Sequence, residues 1–186
     1  MEKKDAQSNP ELVLVILRDD IYRQKKIAAA LAYLENLEHA EIVALELITP
    51  TRSLAEAHYD KDEAWKVKVG KRIIESRQGQ SLPIEFSELQ YGQMVYDDLL
   101  NYMTEGPVVV LILSGIDVVA RVREIVGHTN PAEARPGTMR AIFGTVSNDP
   151  NEVATMRNAV HSSESYEEAL REIKLWLPRV VILDLF

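Results

Sequence analysis

Four histidines come first, because a chain without cysteine has few other side chains able to act as a nucleophile or move a proton near neutral pH. His39 stands in a polar turn and His58 in a short helical segment, and both read as surface or structural residues. His128 follows the end of a helix, where an imidazole interacts with the negative pole of the helix. His161 keeps different company. It lies in Asn158-Ala159-Val160-His161-Ser162-Ser163, directly before a helix that Ser165 and Glu168 mark with a capping box. Glu172 on that helix borders its apolar stripe, and a carboxylate there is able to fold back and orient an imidazole.

The second constellation is the loop from His128 to Arg140, with the sequence HTNPAEARPGTMR. Pro131 and Pro136 stiffen it, Gly137 lets the backbone approach a ligand, and Thr129 and Arg140 add donors. Taken alone it reads as an ordinary proline-rich connection; its donors also make it a candidate anion site in a chain that otherwise repels anions. The formal net charge is −8, so the backbone of a nucleic acid is not an expected partner. Any site for a phosphate must be built locally, from a few arginines beside glycine, proline and threonine and from backbone N–H groups.

These residues need elements to position them. Leu12 to Leu17 is an apolar run that reads as a buried strand, and Asp20 is an expected N-cap for a helix with Ile27, Leu31 and Leu34 on one face. Ile42 to Ile48 reads as a second strand, with Val43, Leu45 and Leu47 alternating on one face. Ser53 starts a short helix through His58 and Tyr59. From Asp60 to Glu105 the period is helical, broken at Gln78–Pro83, which predicts a helical hairpin. Val108 to Leu113 is too uniformly apolar to be anything but a central strand. Gly115 and Gly127 bracket a helix with Val118, Val122, Ile125 and Val126 inward, and Met139 to Phe143 is expected as a fourth, shorter strand. The last helix carries Tyr166, Ala169, Leu170, Ile173 and Trp176 as its buried stripe. The order β-α-β-(αα)-β-α-β-α predicts an α/β (α+β) fold. It is the ferredoxin-like split βαβ arrangement, with a four-stranded antiparallel sheet, helices on one face and an inserted helical hairpin.

The 186 residues fit one domain. No stretch reaches the roughly 18 consecutive apolar residues of a spanning helix, and residues 1–9 carry no apolar core of a secretory signal. With cysteine absent, a reducing, cytoplasmic setting is expected.

The two constellations together resemble the nucleoside diphosphate kinase family. Its Thr-Asn-Pro-Ala…Pro-Gly-Thr-Ile-Arg loop stands here as Thr129-Asn130-Pro131-Ala132…Pro136-Gly137-Thr138-Met139-Arg140, and its Asn-x-x-His-x-Ser segment as Asn158 to Ser163. The Gly106-Pro107-Val108-Val109 strand start, the His58-Tyr59 pair and Glu172-Ile173 also match. The resemblance implies that His161 is the nucleophile that becomes a phosphohistidine, oriented by Glu172 and Ser163, with Tyr59 packed beside it. It implies that Arg18, Arg123, Thr129 and Arg140 hold the phosphates of the nucleotide and that Asn158 bonds its sugar. Nucleoside tri- and diphosphates are then the partners, exchanged in ping-pong fashion. Mg2+ is held mainly by the phosphates rather than by a protein metal site, and the assembly is a homo-oligomer, a tetramer or hexamer.

The sequence departs from the family at several points. Arg18-Asp19-Asp20 replaces Lys-Pro-Asp, and a planar guanidinium is not a point ammonium. Ala141-Ile142 replaces Gly-Asp after the loop arginine, and Ser162 stands where glycine usually follows the histidine. Insertions are expected at about 61–93 and 146–156. The alternative to an active kinase is a nucleotide-binding homologue with weak or no turnover and a regulatory or scaffold role.

Overall fold

The computed structural model describes residues 10–147, 149, 153 and 156–180. Its centre is β1 (Glu11–Leu17), whose apolar run is buried on both sides. Val13, Val15 and Leu17 enter one core, and Leu12, Leu14 and Ile16 enter the other. Each such aliphatic side chain, withdrawn fully from water, contributes about 1.5–3 kcal/mol. After β1 the chain forms α1 (Asp19–Arg23), α2 (Ile27–Glu35), the strand β2 (Ala40–Ile48) and α3 (Arg52–Tyr59). The hairpin α4 (Glu63–Gly79) and α5 (Glu88–Thr104) follows, then β3 (Val108–Gly115) and α6 (Val118–Val126). A 3₁₀ turn (Pro131–Glu133), α7 (Met139–Phe143), β4 (Thr145–Val146), β5 (Met156–Arg157), β6 (Val160–Ser162) and α8 (Tyr166–Trp176) complete the described chain.

The main sheet has the order β2-β3-β1-β6, with each neighbouring pair antiparallel. That is the strand order of the expected ferredoxin-like fold. Its covering is different. Residues of α2, α6 and α7 fill the core around Val13, Val15 and Leu17, while α3, α5 and α8 fill the core around Leu12, Leu14 and Ile16. The helices therefore lie on both faces rather than one, because the hairpin and α8 add a third layer.

Four further expectations are corrected. Met139 to Phe143 is a helix, since Met139, Arg140 and Phe143 are buried at the spacing of a single helical turn. The fourth strand is β6, the histidine segment itself, paired through Ile16 with His161. Asp20 is not an N-cap: Arg18 takes that place, α1 is a separate short helix, and the chain breaks before α2 at Gln24–Lys26. At Ser165 only half the capping box forms. Ser165 Oγ accepts from the Glu168 N–H, while the Glu168 carboxylate turns to Arg171. In β2 a register shift between Ile42 and Ala44 inverts the alternation, so Val43 packs inward but Leu45 and Leu47 are exposed by 49% and 58%.

The hairpin owes its closeness to two glycines. A Cβ on Gly70 would stand 1.7 Å from the Glu88 carbonyl oxygen, and one on Gly92 only 1.9 Å from that of Lys66. Asp62 caps α4, and a full capping box of Ser87 and Gln90 starts α5. Of the second expected insertion, β4 and β5 form the pairing at its two ends, through Val146 and Met156, and most of the residues between lie outside the described set.

Candidate active site

The site lies where β1 ends and β6 begins. Val160 packs into the core lined by α6, so the alternation of the strand turns His161 to the opposite face, toward α3 and α8. There its Nε2 is 2.8 Å from Glu172 Oε1. The other carboxylate oxygen accepts from Ser163 Oγ–H at 2.6 Å, and the Leu14 N–H donates to that same hydroxyl oxygen at 3.2 Å. Glu172 and Ser163 are both buried. A carboxylate so placed accepts a hydrogen bond from Nε2–H, which selects the tautomer with the free lone pair on Nδ1. The His161 side chain retains 19% exposure, enough for a substrate to reach it.

His58 stands against His161, with ring centroids 4.6 Å apart and nearly perpendicular planes. Its sequence context suggests a surface or structural residue, whereas the structure puts it inside the site. Its Nδ1 accepts from the Trp176 indole N–H at 3.1 Å, an interaction that only a neutral imidazole can make. Burial, followed by the nearby charges of His161, Arg18 and Arg171, lowers its pKa from 6.5 to about 2. The signal lay in the spacing of α8: Glu172 and Trp176 are one turn apart, so two polar groups face one place. Arg171 on the same helix donates to the Ala57 and His58 carbonyls and so fixes the end of α3.

Arg18 is 3% exposed and makes no ion pair with Asp19 or Asp20. Its Nη2 donates to the Tyr59 hydroxyl at 2.8 Å, and its Cζ stands 4.3 Å from the ring centroid of Tyr102. Among the described residues, Nε and Nη1 are buried without a hydrogen-bond partner, as is Asn158 Oδ1. Buried donors without a partner cost about 1–3 kcal/mol each. Tyr59 reaches the site through its hydroxyl, and its ring lies against His58 at 5.0 Å between centroids.

Arg140 projects from α7 and is held by two carbonyls, Val160 at 3.0 Å from Nε and Gly127 at 2.8 Å from Nη1. Burial, then repulsion from Arg18 and Arg123, lowers its pKa to about 10. These mutually repelling guanidiniums favour a bound polyanion, which relieves the repulsion. Arg123, on α6, and Thr129, in the loop, are exposed; Arg140 ties that loop to β6 through Gly127. Asn158 precedes Ala159, whose φ is +59°, and the Val160 N–H donates to the Asn158 carbonyl at 2.6 Å. This is a γ-turn of the rarer, strained hand, and it aims the histidine strand.

The chain's likeness to known proteins agrees with this geometry. A family profile described as Nucleoside diphosphate kinase matches residues 67–182. The nucleoside diphosphate kinase of Methanocaldococcus jannaschii is 31% identical over 174 residues, spanning 94% of this chain and 98% of that protein. The chain belongs to the nucleoside diphosphate kinase family. The kinase of Rickettsia bellii is 30% identical over 169 residues, covering 91% of this chain and 94% of its own length. A crystal structure of an NDP kinase from Pyrobaculum aerophilum superposes with a TM-score of 0.81 at 29% identity, covering 95% of this chain and 99% of the other. The family fold thus extends through β1 and Arg18, which precede the profile match.

Within this family site, His58, His161 and Glu172 also form a cluster whose ligand atoms lie within 4.8 Å of one another. Two imidazoles and one carboxylate do not suit Mg2+, which takes hard oxygen ligands. The contacting atoms are moreover engaged with Trp176, Ser163 and each other.

Proposed function

We infer that this chain moves the terminal phosphate of a nucleoside triphosphate onto His161 Nδ1 and then onto a nucleoside diphosphate. The observation that carries this reading is the His161–Glu172–Ser163 chain of hydrogen bonds beside the unpartnered donors of Arg18. In the first half-reaction the Nδ1 lone pair attacks the γ-phosphorus, and the bond to the bridging oxygen breaks with its electrons leaving on the diphosphate. Nε2 keeps its proton, and the Glu172 carboxylate offsets the positive charge that develops on the ring. The second half-reaction reverses these steps with another diphosphate. Arg18, Arg140 and Arg123 neutralise the oxygens of the transferred group, Thr129 adds a donor, Asn158 bonds the sugar, and Tyr59 steadies Arg18.

Magnesium fits this scheme through the phosphate oxygens, since the nitrogen-rich cluster at His161 does not suit it; it supplies charge neutralisation. A homo-oligomer, tetramer or hexamer, is supported by the exposed Leu45 and Leu47 on β2, an apolar edge strand unpaired on one side among the described residues, of the kind a symmetric copy covers. The nucleotide substrates and the cysteine-free sequence fit a cytoplasmic enzyme. Incubation with γ-labelled ATP tests the central reading. Acid-labile, alkali-stable label is expected on the wild type, discharged by added diphosphate and absent from His161→Ala. Normal labelling of that variant would assign the nucleophile elsewhere.

A further inference from the structure

Tyr102 belongs to α5 of the hairpin and is 3% exposed, yet it is among the most engaged side chains at the site. Two guanidiniums stand over its ring, Arg18 with Cζ 4.3 Å and Arg157 with Cζ 4.7 Å from the centroid. Its hydroxyl donates to Asp20 and accepts the Ala159 N–H at 2.9 Å. Arg157 is anchored in turn by a two-pronged contact with Glu105, at 2.7 and 2.5 Å. Burial raises the pKa of the phenol, so it stays protonated and can donate and accept at once.

Resting on the kinase reading above, we propose that Tyr102 is a positioning residue for phosphoryl transfer: its ring carries the Arg18 guanidinium and its hydroxyl holds the Ala159 turn that aims His161. The physical need is specific to an arginine at position 18. A guanidinium is planar and weakly hydrated, and lying over an aromatic face fixes its plane. Tyr59 takes one of its nitrogens, so Nε and Nη1 are left as an aimed pair of donors. The Arg18 N–H also donates to the Ala159 carbonyl at 2.9 Å. Both partners of the reaction, the cation that follows β1 and the nucleophile on β6, are thereby referred to one side chain. Misplacing either one by about 1 Å costs up to roughly a hundredfold in rate.

The test is the single-turnover rate of His161 labelling by ATP, with ADP affinity measured in parallel. Tyr102→Leu is expected to slow labelling by about tenfold or more while ADP affinity changes less than about twofold. In an Arg18→Ala background the same change should slow labelling distinctly less, because only the hydroxyl's hold on the Ala159 turn is then lost. Unchanged labelling, or the same slowing in both backgrounds, overturns the proposal. Because a buried residue is being cut, Tyr102→Phe and pentafluorophenylalanine at the same position provide a second pair of matched size. Fluorination reverses the charge distribution of the ring and should slow labelling severalfold relative to Phe when Arg18 is present and not when it is Ala. Equal rates for that pair with Arg18 present overturn the role of the ring. Tyr102→Phe as fast as the wild type overturns the role of the hydroxyl. A wild type that takes no label overturns the kinase reading and this proposal with it, whereas a labelled wild type indifferent to position 102 overturns the proposal alone.

Discussion

Arg18 shows how far one residue departs from its family while staying in the site. Its guanidinium is buried between Tyr59 and Tyr102 rather than paired with a surface carboxylate, so its charge is available to a phosphoryl group. Arg18→Ala is expected to lower kcat by roughly a hundredfold with a smaller change in nucleotide affinity, as for donors aimed at developing charge. Pre-steady-state labelling of His161 checks this, and equal rates would remove Arg18 from the chemistry. Arg18→Lys keeps the charge but loses the fork, so it should retain more activity than the alanine variant. His58 governs a different observable. Its pKa in the folded state lies far below the 6.5 of the unfolded chain, so below that pH the unfolded state binds more protons. Its contribution to stability is therefore whole above pH 6.5 and is lost as pH falls toward about 2, by at most about 1.4 kcal/mol per pH unit. Urea unfolding between pH 7 and 5 should show this slope in the wild type and lose it in His58→Asn.

Among the elements, the hairpin of α4 and α5 sets the position of Tyr102 and is held by backbone contact at Gly70 and Gly92. Gly92→Ala forces a methyl group into the Lys66 carbonyl and should cost at least about 1–3 kcal/mol. Gly79 is the matched control, since a Cβ there meets nothing within 4 Å. Gly79→Ala, at the last residue of α4, should be neutral or stabilising by up to about 1 kcal/mol. Denaturant midpoints of the two variants decide whether close helix packing is what the glycines serve; equal midpoints would say it is not. The strand β6 teaches a related lesson. It has only three residues, one of them apolar, and it pairs because Arg140 and the Ala159 turn hold its first residue.

Across the whole molecule, an acidic chain concentrates Arg18, Arg123 and Arg140 in one place, and that local field recruits a polyanion against the net charge. The opposite edge carries Leu45 and Leu47 on β2, which has no neighbouring strand on that side among the described residues. Leu45→Lys together with Leu47→Lys should shift the protein toward smaller species in sedimentation, while labelling of His161 persists. An unchanged sedimentation coefficient would mean that these two leucines make no contact between copies of the chain.

The sequence alone determined most of the order of elements, the central strands and which groups were candidates for the site, because apolar period, caps and short motifs are local properties. His161, Glu172, Ser163 and the loop ending at Arg140 were legible as a linear pattern. What the sequence left to the tertiary structure was each feature that depends on residues far apart. His58 joins His161 across 103 positions only because α3 and α8 pack on one face of the sheet. The segment 139–143 resembles a strand until burial of Arg140 against the Val160 and Gly127 carbonyls makes it a turn of helix. The second layer of helices followed from burial of β1 on both faces, and a six-residue apolar run is consistent with one buried face or two. Tyr102 carried no signal at all in its own neighbourhood. Its ring and hydroxyl acquire meaning only where Arg18, Arg157, Asp20 and Ala159 converge, and convergence in space is what a linear pattern does not encode.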